Sequence, residues 1–160
     1  MVWTRIRQAR GDAGQAVVEL AFVLPIVLLF LFGIIDFGLA INQQNSDTNI
    51  ANLAARQVAV IGTTTTLSCN GTSYSNLNTW GQCEATATGA QAVSSVCVTD
   101  TSGGPYAAGD AATVKVTSNF GWLKLLTGQV SGLSSTISSS ATMRVEQAAG
   151  SNTFLSGASC

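Results

Sequence analysis

Eight carboxylates, four cysteines and a generous supply of serine and threonine are the groups of this 160-residue chain that could do chemistry, and there is no histidine among them. Without an imidazole there is no Ser-His-Asp relay and no histidine base or ligand. A paired-carboxylate hydrolase needs two acids converging on one groove. Glu84, Asp100, Asp110 and Glu146 are too scattered to suggest such a pair. Cys69, Cys83, Cys97 and Cys160 contain no C-x-x-C pair, so their even number suits disulfides rather than zinc. Three connectivities are open. Closing the Gly/Asn-rich loop between Cys69 and Cys83 is the preferred one, and it leaves Cys97 for Cys160. The expectation is a protein that is not an enzyme and uses no cofactor and no metal.

The charges are few and unevenly placed. Seven basic residues against eight acidic give a net charge of −1, and only 9 % of residues are charged, against about 25 % in ordinary domains. No basic face for nucleic acid can be built from this set. Arg5, Arg7 and Arg10 crowd the first ten positions, and an apolar run over 16–41 follows, interrupted only by Glu19 and Asp36. As a helix that run crosses a bilayer core of about 30 Å. Arginine before the span places the N-terminus in the cytoplasm and the remainder outside. A cleaved secretory signal, with Gly38-Leu39-Ala40 as its cleavage site, would have an apolar core of about 7–15 residues. The run here is longer and carries an acid near each end.

Those two acids fit a different pattern. Gly14-Gln15-Ala16-Val17-Val18-Glu19 resembles the processing site of type IV pilins and pseudopilins. The wider stretch, continuing through Pro25, Gly33, Asp36 and Gly38, resembles the TadE-like pilin-related family of tight-adherence (Tad) pilus systems. The resemblance covers roughly residues 14–40. It implies a basic leader over 1–14, cut after Gly14 by a prepilin peptidase, with Gln15 as the new N-terminus and Glu19 as the fifth mature residue. It further implies assembly roles for Glu19, Pro25, Gly33 and Asp36, and partners among other pilin subunits, the assembly platform and the lipid membrane. The product would be a helical filament or hetero-oligomer for attachment or secretion. Leu20 stands where many Tad pilins have tyrosine, which points to a pseudopilin or minor pilin rather than a major one. Physical chemistry gives Glu19 a reason of its own. An acid at mid-membrane costs roughly 2.5–3.5 kcal/mol, less near the interface, and cleavage would create an amine about one turn away. The competing reading is a permanently signal-anchored surface protein whose head is a binding module.

The elements that must carry these groups follow from periodicity. One helix is expected over 15–61, bent at Pro25 and roughly 70 Å long, with its membrane span at 16–41 and its extended part at 42–61. Gly33, Asp36, Ala40, Asp47, Ala51 and Ala54 fall near one face, a candidate subunit contact of small residues, with Asp47 expected in solvent. Asp36 could equally mark the outer membrane boundary. Ile50, Leu53, Ala54, Val58 and Ile61 offer an apolar stripe to an extracytoplasmic head over 62–160. In the head, 67–92 reads as loop with Asn70-Gly71 as a turn and a short helix near 84–93. Alternation predicts strands at 93–99, 112–119 and 136–147. Phe120, Trp122, Leu123, Leu125 and Leu126 cluster on the next connection, either covering the sheet or forming a contact patch. The fold class expected is α+β: a long N-terminal transmembrane and extended helix packed on a small antiparallel β-sheet, as in pilins.

Overall fold

The computed structural model describes residues 4–89, 93–100, 106–122, 134–148 and 160, with side chains from residue 14 onward and not at residue 100. Helix α1 (Thr4–Val60) is followed by strands β1 (Leu67–Cys69) and β2 (Thr72–Tyr74), helix α2 (Leu77–Ala87), and strands β3 (Val93–Asp100), β4 (Ala111–Gly121) and β5 (Ser134–Arg144). The fold is the expected α+β, a long apolar N-terminal helix with antiparallel sheets. The chain divides into two compact units, Met1–Leu39 and Ala40–Cys160. Among the described residues the first is helix alone. The second holds the rest of α1 and everything after it.

In the second unit β3, β4 and β5 form an antiparallel sheet with β4 in the centre. Strand β4 alternates strictly: Ala112, Val114, Val116, Ser118 and Phe120 are buried, while Lys115 and Asn119 are exposed. That period of two gives the sheet one apolar face and one polar face. The apolar face is covered by α1, which buries Ile50, Ala51, Ala54, Ala55 and Val58 in the same core as Val96, Val98, Val114 and Val116. Alanine at three of those helical positions lets the backbone come close to the strands. The helix end is fastened as well, since the Glu146 N–H donates to the Ala59 carbonyl at 2.8 Å.

The segment 67–92, expected to be mostly loop, is more ordered than that. Cys69 pairs with Thr72 across a two-residue turn in which Asn70 and Gly71 both have positive φ (48° and 78°). Two consecutive left-handed residues are the requirement of a type I′ hairpin, and Asn-Gly supplies them at least cost. Helix α2 begins at Leu77, not near 84, because Asn76 caps it by accepting the Asn78 N–H at 2.7 Å. Trp80 is buried and donates its indole N–H to the Ser68 carbonyl, tying α2 to β1. Asn78 accepts the Val96 N–H, tying α2 to β3. Gly81 is where that packing is tightest: a methyl group there would lie 2.6 Å from Val96 Cγ2. The third strand ends at Arg144 rather than 147, and the first helix begins at Thr4 rather than 15.

All four cysteines are oxidised. Cys69 pairs with Cys83 and Cys97 with Cys160, one of the three connectivities open from sequence. The first closes a loop of sequence separation 14, for which chain-entropy arguments give about 3 kcal/mol.

Ile50 is 2 % exposed and Asn45 lies on the solvent side of the same helix. Ile50→Ala is expected to cost the second unit about 2–5 kcal/mol, read as earlier proteolysis or a lower denaturation midpoint. Asn45→Asp is expected to stay within about 0.5 kcal/mol of the parent.

Candidate functional site

The residues singled out near the N-terminus all ride on α1. Gly14 is exposed, and a methyl group built on it meets nothing within 4 Å. Gln15 and Glu19 are exposed and four residues apart, so they share a helix face about 6 Å apart along the axis. Side chains from 14 to 31 are exposed throughout, including Phe22, Leu29 and Phe30. Pro25 lies inside this stretch and deprives the Ala21 carbonyl of its helical donor. Gly33 and Gly38 are exposed, whereas Asp36 is buried. Among the described residues one helix, within Gly14–Val60, is long and apolar enough to cross a membrane, and none of its most apolar window is buried. An apolar surface of that extent is a candidate membrane anchor. The leader arginines, Arg5, Arg7 and Arg10, have side chains outside the described residues.

Residues 14–59 match the family model described as TadE-like protein. The N-terminal segment is TadE-like. The match begins at Gly14 and ends one residue before α1 does, covering fewer than a third of the chain's residues. No curated protein and no solved structure matches the chain. The TadE-like match therefore lies within α1 and does not extend into the strands that follow it.

A second polar cluster lies where α1 meets the sheet. Asp47, expected in solvent, is fully buried. It accepts from Gln43 Nε2 at 3.1 Å and from the Ser118 hydroxyl on β4. Gln43 and Ser118 are also buried, and no buried side-chain polar atom among the described residues lacks a partner. Burial pushes the Asp47 carboxyl above its ordinary value of 3.8, with the two hydrogen bonds pulling the other way. Nearby, Thr48 Oγ1 donates to Ser139 Oγ on β5. The helix is thus fixed to β4 and β5 by side-chain hydrogen bonds as well as by apolar contact. The stripe of Ala40, Asp47, Ala51 and Ala54, read from sequence as a subunit contact, is buried within this chain, so those four residues are not available to a neighbour.

The aromatic cluster also differs from expectation. Phe120 lies on β4 rather than on a connection and is buried; Trp122 is half-buried, meets Phe120 edge to face at 5.1 Å and donates to Ser135 Oγ. Leu123, Leu125 and Leu126 lie outside the described residues.

The buried Asp47 sets a pH dependence of stability. Its folded pKa is raised, so its favourable contribution is complete below about pH 4 and is lost as the pH rises through the folded value. Asp47→Asn is expected to raise the unfolding temperature by a few degrees at pH 7, with the gap to the parent closing near pH 4. Asp47→Ala leaves Gln43 and Ser118 without their acceptor and is expected to cost about 1–3 kcal/mol at both pH values.

Proposed function

We propose that the chain is a TadE-like minor pilin or pseudopilin, processed after Gly14 by a prepilin peptidase and contributing to assembly of a Tad-type pilus. The family match supports a Tad pilus role in general terms. The observation that carries the finer reading is the start of the match at Gly14, with an exposed Glu19 one turn beyond Gln15 on the same helix. Cleavage there removes the three leader arginines and leaves a cationic amine on Gln15. Glu19 makes no hydrogen bond or ion pair among the described residues. In a low-dielectric setting an unpaired carboxylate is costly, and an amine one turn away, in the same chain or a neighbour, offsets that cost.

The same chemistry orders the life of the molecule. Before cleavage the arginines hold the N-terminus at the cytoplasmic face and the head outside. After cleavage the apolar surface over 14–35 has two suitable environments, lipid tails or the equivalent surfaces of other helices. Pro25 loosens the backbone within that surface, which favours a helix that must leave one environment for the other. Partners on this reading are the peptidase, other pilin subunits and the assembly platform.

The mass of the mature protein tests the junction. Gly14→Ala is expected to leave the leader attached, because a side chain crowds the peptidase site. Glu19→Ala is expected to give normal cleavage but to lose most of the filament-associated protein. An unprocessed parent chain, still beginning before Gly14 in the membrane, would instead indicate a permanently anchored surface protein with a binding head.

A further inference from the structure

The two disulfides sit in different chemical surroundings. Cys69 is 3 % exposed and belongs to the core, and its partner Cys83 on α2 packs against that core. Cys97 lies on β3 and is half-buried, while Cys160 is exposed. Along β3 the buried Val96 and Val98 flank Cys97, so by strand alternation Cys97 stands on the polar, outward face of the sheet. Its partner in the β3–β4 register is Lys115, also exposed. Residues directly opposite in an antiparallel pair have Cβ atoms about 4.5–5.5 Å apart, and the flexible lysine stem is long enough to bring its ammonium to the neighbouring sulfur. The next residue in that row, Ser140 on β5, is uncharged. Among described side chains, then, the row holds one cation beside one disulfide.

Thiol–disulfide exchange needs an accessible sulfur for the attacking thiolate and a leaving sulfur whose thiolate is stabilised. Cys160 meets the first need and Cys97, beside Lys115, the second. We propose that Cys97–Cys160 is a thiol-exchange site, at which a low-molecular-weight thiolate adds to Cys160 Sγ and Lys115 receives the departing Cys97 thiolate. The step balances without any oxidant: one S–S bond forms between the incoming sulfur and Cys160, the Cys97–Cys160 bond breaks, and the electron pair stays on Cys97. The Cys160 N–H also donates to the Val98 carbonyl at 3.4 Å. Exchange therefore releases both a covalent and a hydrogen-bonded hold on β3, while Cys69–Cys83 keeps α2 on the β1–β2 hairpin.

The test uses the full chain in detergent micelles, reduced glutathione as the probe, acid quenching, alkylation and peptide mass mapping. Glutathione is expected on Cys160 and the alkyl group on Cys97, both well before either appears on Cys69 or Cys83. Lys115→Gln is expected to slow the exchange severalfold and Lys115→Arg to keep it near the parent rate. A sheet merely loosened by the substitution would exchange faster, so the direction of the change separates charge from structure. The proposal is overturned if both disulfides open at equal rates, if the adduct forms on Cys97, or if Lys115→Gln exchanges as fast as the parent.

Discussion

A three-stranded sheet with one apolar face has to hide that face, and in this protein the second half of α1 covers it. The helix cannot be replaced by a thicker β layer, because the hairpin β1–β2 has strands of only three residues and is itself held by α2. Isolated small sheets are marginal in water, so the head exists as a folded unit only while 40–60 of α1 lies on it. The alanines at 51, 54 and 55 set the closeness of that contact, and the closeness in turn lets Asp47 reach Ser118. A larger residue at any of those three positions would lift the helix and leave a buried carboxylate without a partner on the strand.

Asp47 shows what a buried acid does in such an interface. As a contributor to stability it is weak, since desolvation opposes its charged form and only uncharged donors answer it. As a marker of position it is strong. Gln43, Asp47 and Ser118 satisfy one another, and a helix rotated by one residue would strand all three in an apolar setting. An apolar stripe alone tolerates sliding; a buried hydrogen-bonded group penalises it, because the unpaired atoms cost more than the lost contact. The part of α1 within the second unit is therefore indexed on the sheet.

Periodicity made the large elements legible. The helical stripe of Ile50, Ala54, Val58 and Ile61, and the alternation over 113–117, depend only on neighbours in sequence, and both lie where they were expected. The Asn-Gly pair signals a turn, yet three-residue strands on either side are too short to show a period, so the hairpin is not legible in the sequence. Helix α2 starts earlier than its sequence suggests because its cap, Asn76, and its buried face of Leu77, Trp80, Gly81 and Ala85 sit in a polar, loop-like composition. The burial of Asp47 is hidden for a deeper reason. It directly follows the run Asn42-Gln43-Gln44-Asn45-Ser46, which reads as solvated helix, and its partner Ser118 is 71 residues away. No local signal announces that pairing. At the N-terminus the Gly-x4-Glu spacing was legible because it is a short pattern on a single element, and the family match begins at its first residue.

The two stretches of α1 meet opposite problems. Over 40–60 the helix brings small side chains to a fixed partner inside the same chain, so its burial is settled when the head folds. Over 14–35 Phe22, Leu29, Phe30 and Ile34 are exposed among the described residues, so their burial calls for an environment. A monomer in water cannot carry that surface uncovered. Lipid and neighbouring helices offer similar dispersion contact, and transfer between them costs little in apolar burial, since neither side gains a hydrophobic driving force over the other. What distinguishes the two environments is polar: the Glu19 carboxyl group and a freed carbonyl at Ala21 are poorly served by hydrocarbon and better served by a partner that brings a donor. On the proposed reading, a segment that is apolar nearly everywhere and polar at one turn near its start suits both a membrane anchor and packing against other helices.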